Sequence, residues 1–469
     1  MANKIRNNSY IETLPIILSL AWPTMLEQLM QTAVQYIDIA MIGSLGTEAT
    51  AAVGSTTTIN WLINSSVSAL SIGFLAFVSQ AWGANDRDRA KRIAGQSVFV
   101  CLVTGVFFTA LTVGLSPWVP ELMQVEEGIQ GMAGRYFMIL YLPMLPRTAG
   151  IIFGTVLRAA GDTKTPMKLG VSINLINVAL NFFLIYETRL LSIFGVSFVM
   201  PGAGWGVEGA AAASAVAYTV GGVLMAVALW KHPMVSPKGS SIDPQWRILR
   251  PCLKVAIPNM LQRFGTSLGY VIFAAMINSL GELSTAAHTI AITVESAFYI
   301  PAYGMQTAAA TLAGNALGAN DRKRMRSLTG MIIIVEIAMM VVTGGLLFAF
   351  APAMVSVFSN SAEVILLGSI VLRMVALSEP FYGVAVIIEG IMQGLGNTVI
   401  PFIFGIAGMW AVRIVGTFVC IKLLHMGLVS AWACMITHNL LLFSAYVIYY
   451  LKGSWNPLLK RSDVGTRAV

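Results

Sequence analysis

Twelve apolar stretches run through this chain almost back to back, and a helix that crosses a membrane needs about 20 mostly apolar residues. They fall at 15–42, 51–80, 94–116, 130–158, 166–186 and 206–230 in the first half, and at 251–279, 285–316, 328–351, 363–393, 399–424 and 427–451 in the second. Gly, Pro, Asn or charged clusters break each from the next. Several exceed the minimum, which predicts tilt or protrusion from the bilayer. Alternating segments of about ten residues, the mark of a membrane β-barrel, are absent. The expected fold is an all-α integral membrane protein with twelve transmembrane helices. Charge supports this: 11% of the 469 residues are charged and 57% apolar, whereas a soluble domain carries about 25% charged residues. A chain so poor in charge cannot cover a soluble surface, which excludes disorder, a collagen-like fold and a large cytosolic enzyme.

The first stretch, 15–42, is longer than a signal-peptide core of about 7–15 residues and is expected to remain as a membrane helix. Placing the N-terminus, the connections after even-numbered spans and the C-terminus on one side puts 22 of the 29 Lys and Arg there or in the adjoining turn of a span. The positive-inside rule then makes both termini cytoplasmic, in a cytoplasmic membrane. The net charge of +8 does not mark a nucleic-acid partner, because the bases sit in short runs between apolar stretches. Cys101, Cys252, Cys420 and Cys434 are too scattered for CxxC metal spacing and read as packed thiols.

The chain also resembles itself at a spacing of 235 residues. Trp-Gly-Ala-Asn-Asp-Arg-Asp-Arg (82–89) returns as Leu-Gly-Ala-Asn-Asp-Arg-Lys-Arg (317–324), and Ala-Trp-Pro-Thr-Met-Leu (21–26) as Ala-Ile-Pro-Asn-Met-Leu (256–261). Gly161-Asp162-Thr163 with Pro166 returns as Gly396-Asn397-Thr398 with Pro401. Three separated matches at one offset indicate two homologous six-helix lobes, 1–235 and 251–469, joined by a cytoplasmic linker at 236–250. An even number of spans per half makes the repeat parallel, with a pseudo-two-fold axis along the membrane normal, as in one class of secondary transporters. That geometry predicts a cleft between the lobes and a hinge over 232–250, which carries Pro233, Pro237, Gly239 and Pro244. The paired halves make a monomer sufficient.

Polar residues within the spans line up at helical spacing. Span one carries Thr24, Gln28, Gln31, Gln35 and Asp38. Span two carries Thr57, Asn60, Asn64, Ser68 and Ser71, and span five Asn174, Asn177 and Asn181. In the second half Glu295, Tyr299 and Gln306 share a face of span eight, and Glu379, Tyr382, Glu389 and Gln393 a face of span ten. The plainer role of such side chains is interhelical hydrogen bonding. An ionisable residue at mid-bilayer nonetheless costs about 2.5–3.5 kcal/mol on insertion scales and usually faces a partner or a wet cavity. The first half thus suggests a hydrated chamber with Asp38 as its only acid. The repeat pairs Asn60 with Glu295 and Asp38 with Phe273, so the halves have diverged where charge matters. Arg147 and Arg413, also within spans, are expected to neutralise a carboxylate or bind backbone carbonyls. A carboxyl group in low dielectric resists ionisation, and so can alternate between a proton, a cation and a salt bridge. Glu379 also fits a place near the membrane surface, and His288 and His438 fit packed or hydrogen-bonded positions as well as proton relays. With no GxxxxGK[ST] there is no ATP-driven pump in this chain, and no catalytic triad or paired-His spacing points to an enzyme. No cofactor is expected.

These residues resemble the multidrug and toxic-compound extrusion (MATE) family across essentially the whole chain. The resemblance is carried by Tyr36-Ile-Asp38 with Met41-Ile-Gly43-Ser-Leu-Gly46, by Gln80-Ala-Trp-Gly83-Ala and by Leu157-Arg-Ala-Ala-Gly161-Asp162-Thr163. Asn177-Val-Ala-Leu-Asn181 and Gly314-Asn-Ala-Leu-Gly318-Ala complete it, and Glu295-Ser with Pro301 looks closest to the DinF-like branch. It implies an antiporter that exports cationic, amphipathic organic compounds in exchange for H⁺ or Na⁺. Asp38, which matches the family's acid in the first span, would bind the coupling ion (a proton by preference, with Na⁺ the alternative), helped by Gln35, Asn177 and Asn181. Gln31, Asn60, Asn64, Glu295, Tyr299, Gln306, Tyr382 and Glu389 would line the substrate cavity, with Glu295 a candidate second protonation site. Some members have aspartate at the position of Asn181, and some branches a glutamate in span seven, where 259–273 holds no acid. A two-acid site in the first half is therefore not available, and the second half departs from the family's familiar sodium site. A lipid-linked sugar flippase, which wants a strongly basic cavity, and a non-transporting scaffold or receptor, which wants large soluble segments, are the alternatives.

Overall fold

The structure is a computed structural model that describes residues 10–123, 125–193 and 196–458. The first half contains α1 (Tyr10–Gly43), α2 (Thr47–Gly83), α3 (Arg87–Leu115), the single turn α4 (Val119–Leu122), α5 (Glu127–Tyr141), α6 (Met144–Ala159), α7 (Lys164–Leu184) and α8 (Gly206–Lys231). The second contains α9 (Trp246–Asn278), α10 (Glu282–Gly318), α11 (Arg322–Ser356), α12 (Ala362–Ala376), α13 (Glu379–Gly394), α14 (Val399–Ala407), the single turn α15 (Val415–Phe418) and α16 (Leu428–Leu451). Two π-helical turns, Gly408–Ile414 and Val419–Leu423, flank α15 and make one continuous span with α14.

The chain is a multi-pass membrane protein. Among the described residues eight helical spans are long and apolar enough to cross a bilayer, and two bent pairs, α5 with α6 and α12 with α13, bring the number to ten. Helices α1 and α10, with 34 and 37 residues, complete the twelve; both carry the polar residues that lower their hydropathy. The bends measure 49° and 51° and fall at Pro143 and just before Pro380, where a missing N–H interrupts the helical ladder. Expected spans four and ten are thus broken helices.

The repeat is present in the backbone as well as in the letters. Asn85 and Asn320 both adopt left-handed φ (57° and 53°), as do Gly161 and Gly396 (84° and 80°) and Gly46 and Gly281 (118° and 100°). The Asp86 N–H reaches the Ala81 carbonyl and the Asp321 N–H the Ala316 carbonyl, at 3.0 and 3.2 Å. The Gly-Ala-Asn-Asp-Arg loops are therefore helix ends, closed by an asparagine that tolerates left-handed geometry. In the second loop Asp321 then caps α11 by accepting from the Arg324 N–H at 2.9 Å. One element breaks the repeat. Strands β1 (Glu187–Ile193) and β2 (Val196–Ala203) pair antiparallel between α7 and α8, an addition to a fold expected to be helical throughout. Helices α8 and α16 begin 222 rather than 235 residues apart, so the hairpin accounts for extra length in the first half alone.

The chain divides into two compact units. One comprises 29–74 and 87–249. Here α8 supplies small residues that let backbones approach: a Cβ added at Gly222 would lie 2.0 Å from the Pro146 carbonyl oxygen, and one at Gly209 2.4 Å from that of Leu184. The segment after α8 is pinned to α3 in the same unit. Gln96, fully buried, donates to the Asp243 carbonyl at 2.8 Å and accepts from the Gln245 N–H at 2.8 Å. His232 accepts N–H bonds from Met234 and Val235 on Nδ1, and burial, opposed by Asp162, holds its imidazole below the usual range.

The second unit comprises Arg250–Val469, as far as it is described, with 10–28 of α1 and 75–86 at the end of α2. Ile17, Leu20 and Ala21 join a core with Met305, Leu312 and Ile391. The Thr24 hydroxyl donates to the Gly304 carbonyl at 2.9 Å. The ends of α2 and α10 cross almost symmetrically: a Cβ at Gly83 would lie 1.9 Å from the Asn315 carbonyl oxygen, and one at Gly318 1.9 Å from that of Gln80. Overpacking of this kind costs about 1–3 kcal/mol. Gly83→Ala and Gly318→Ala are each expected to lower the thermal midpoint in detergent, while Gly54→Ala, which meets nothing within 4 Å, leaves it unchanged or slightly higher. Equal midpoints for all three would show that the crossing is not close-packed.

Candidate coupling-ion and substrate site

Within the first unit, Asp38 on α1 is half-buried and meets the asparagine pair of α7. The pair is spaced four residues apart, so both amides project from one helical face. Asn181 donates to Asp38 Oδ1 at 2.6 Å. With its amide oriented to satisfy the network, Asn177 donates to Oδ1 and Oδ2 at 3.0 and 3.2 Å and accepts from Ser214 of α8. Both asparagines are buried, at 6% and 1% exposure, and helix α8 sets the orientation of Asn177. The ion pair present among the described residues, Arg135–Glu208, lies elsewhere. Asp38 is therefore answered by neutral amides. Gln35 and Gln31, one and two turns earlier on α1, are exposed.

Asn60 of the α2 stripe enters a second cluster in the same unit. Its Oδ1 accepts from the Tyr141 hydroxyl at 2.7 Å and from Arg147 Nη2 at 3.0 Å. The Arg147 guanidinium also lies over the rings of Tyr218 and Tyr141, 4.6 and 5.2 Å from their centroids. The expectation of a carboxylate or carbonyl partner fails here: an amide oxygen and two ring faces hold the charge. Asn64, a turn further along α2, is half-buried.

The second unit places its acids in two settings. Glu389 accepts from Gln262 Nε2 at 3.2 Å and Gln393 Nε2 at 3.0 Å, amides like those around Asp38, but here Arg263 of α9 is also within electrostatic reach. Glu295 and Glu379 are buried, at 7% and 2% exposure, and within electrostatic reach of one another. Tyr299, Tyr303 and Tyr382 pack edge to face, with the Tyr303 and Tyr382 hydroxyls 3.0 Å apart. Gln306 is buried against Gly390, where a Cβ would lie 2.8 Å from its Cγ. Arg413 resembles Arg147, donating to Asn439 Oδ1 at 3.2 Å and lying over Tyr270 and Phe273, but it is also within electrostatic reach of the Glu295 carboxyl.

One acid escaped the reading of the sequence. Glu336 of α11 is fully buried, and neither carboxyl oxygen has a hydrogen-bond partner. Gly383 makes its room, since a Cβ there would lie 2.8 Å from Glu336 Oε1. The available signal was a lone Glu in an otherwise apolar span, but it has no polar stripe on its own helix to draw attention.

The arrangement can adapt to the charge on the acid. An asparagine amide donates through nitrogen to a carboxylate and, turned over, offers oxygen to a protonated acid or a bare cation. The Asn177 and Asn181 amides can thus meet either form of the Asp38 carboxyl without a second charged group. Comparison with known proteins places this geometry in context. The MatE family model matches residues 23–183 and 258–419, once in each half. "Probable multidrug resistance protein NorM" of Thermotoga maritima is 27% identical over 439 residues, 94% of this chain and 92% of that protein. "Probable multidrug resistance protein YoeA" of Bacillus subtilis is 24% identical, over 93% of this chain and 94% of its own length. Among solved structures, a crystal structure of MATE in complex with MaL6 superposes with a TM-score of 0.87 at 20% identity, over 98% of this chain and 99% of that one.

Exchanging a buried polar group that lacks partners for an apolar one of similar size is close to neutral or stabilising. Glu336→Leu is therefore expected to keep or raise the thermal midpoint. A fall of several degrees would reveal a partner that holds the carboxyl in place.

Proposed function

The chain belongs to the MatE family of membrane transporters, and from that footing we propose that it is an antiporter that exports cationic, amphipathic organic compounds in exchange for H⁺ or Na⁺. The observation that carries the reading is the Asp38 carboxylate, held by two buried amides and no positive charge. A carboxylate so placed binds a proton or small cation reversibly, whereas a salt bridge to Arg would resist exchange. We take the proton as the coupling ion. Protonation removes the negative charge that shortens the bonds from Asn177 and Asn181, loosening α1 from α7. Coupling follows if the two access states differ in how well they hold Asp38 in each form. Gln35, one turn away, extends the polar path to Asp38.

For the exported compound, Gln31, Asn60 and Asn64 of the first unit and Glu295, Tyr299, Gln306, Tyr382 and Glu389 of the second supply amides, ring faces and carboxyls that suit an organic cation. The Arg147 and Arg413 guanidinium groups are already engaged by asparagines and rings, which weighs against a pyrophosphate-bearing lipid as cargo. The protein acts as a monomer in the cytoplasmic membrane with both termini cytoplasmic, following the bias of Lys and Arg.

Purified protein in proteoliposomes, given a fluorescent organic cation and an imposed pH or Na⁺ gradient, tests the reading. Wild type is expected to accumulate dye when the pH gradient is applied, and Asp38→Asn to fall to the level of empty vesicles while inserting normally. Asn181→Ala, which removes one charge-assisted bond worth about 1.5–3 kcal/mol, is expected to slow transport by about tenfold or more. Gradient-driven transport at the wild-type rate by Asp38→Asn would remove Asp38 from the coupling step.

A further inference from the structure

The last two spans bring two thiols together at a place unrelated to the acids above. Cys420 lies in the π-helical turn Val419–Leu423 and Cys434 on α16, with their Sγ atoms 3.7 Å apart. Both are free and partly exposed, unlike the buried Cys101 and Cys252. They open onto a cavity of about 410 Å³ whose lining also includes Met426, Ser430 and Thr437. Gly416 leaves space behind the pair, since a Cβ there would come within 3.2 Å of Cys434 Sγ. The connection between the spans is drawn tight beside them. His425 takes left-handed φ (50°), costly for a residue with a side chain, and the Met426 N–H bonds the Cys420 carbonyl at 2.9 Å.

The donor chemistry of this cavity is sulfur. Ser430 and Thr437 turn their hydroxyl protons to the Gly427 and Ala433 carbonyls of their own helix, at 2.7 and 2.8 Å. No carboxylate or imidazole is among the lining residues, so hard cations find no anionic oxygen. Two thiolates with a thioether select a soft ion of the copper(I) class. We propose that Cys420, Cys434 and Met426 form a binding site for one such ion, which ties the final two spans together. The two cysteines coordinate as thiolates and release their protons to solvent as the ion binds, with no change of oxidation state, and Met426 adds a weaker third sulfur. π-Helical turns, which are rare and concentrate at functional sites, would here put Cys420 on the side of α16.

The test is anaerobic titration of the reduced, full-length protein with copper(I) in competition with a chromophoric chelator. Wild type is expected to take up one equivalent more than the Cys420→Ser/Cys434→Ser variant, and Cys101→Ser/Cys252→Ser to match wild type. Met426→Leu is expected to weaken the site by about tenfold. Gradient-driven dye transport is expected to be the same in the Cys420→Ser/Cys434→Ser variant as in wild type, which keeps this test apart from that of the Asp38 reading. Equal copper(I) uptake by wild type and the double serine variant would overturn the proposal. So would the loss of two maleimide-reactive thiols in metal-free protein, which would make the pair a disulfide instead.

Discussion

A charge placed inside a hydrocarbon layer has no water to answer it, and the protein must supply the answer itself. This chain rarely uses an opposite charge. Asp38 is clasped by neutral amides, and Glu389 by two more with Arg263 within electrostatic reach. Arg147 and Arg413 are each held by one asparagine oxygen and two aromatic faces. An amide clasp stabilises a charge less firmly than a salt bridge does, and its strength depends on whether the charge is there at all. That dependence is what an exchange cycle requires. Glu336, whose carboxyl has no hydrogen-bond partner among the described residues, is the opposite case: an unpaired carboxylate in such a place costs several kcal/mol.

The duplicated backbone has been dressed with different chemistry in its two copies. The helix ends, the left-handed residues and the broken fourth and tenth spans recur at the same offset, because backbone geometry must be kept for either copy to fold. Side chains were free to part. The position of Asp38 in one copy is Phe273 in the other, where the ring receives the Arg413 guanidinium. The position of Arg147 is Tyr382, which hydrogen-bonds Tyr303 instead. An acid and a base have thus each been exchanged for an aromatic ring at equivalent places. Glycine serves the common framework at the crossing of α2 and α10, where Gly83 and Gly318 let each helix reach the other's backbone.

Much of this was legible in the letters. Apolar length set the spans, the offset of 235 residues set the duplication, and helical spacing put Asn177 and Asn181 on one face, which the family resemblance then set beside Asp38. The hairpin at 187–203 was not legible. Its apolar and β-branched residues follow a membrane span closely and read as part of the apolar background, and the pairing of β1 with β2 is a contact between residues up to sixteen apart. Spans four and ten read as continuous, because a proline in an apolar run is compatible with a kinked helix as well as with a break.

The sequence by itself determined that the chain must lie in a membrane, as paired sets of helices, with an acid in the first span that some neighbour must accommodate. These follow from composition and periodicity, which act along the chain. Tertiary structure alone decided the bonds by which each buried charge is met. Asn181 lies 143 residues from Asp38, Asn60 is 87 from Arg147 and Gln262 is 127 from Glu389, and Glu336 fits beneath a glycine on a different helix. Such pairings depend on the rotation of each helix about its own axis and on how closely two axes approach. Small residues and π-helical turns set those quantities by packing, and packing has no period that can be read from one strand of letters.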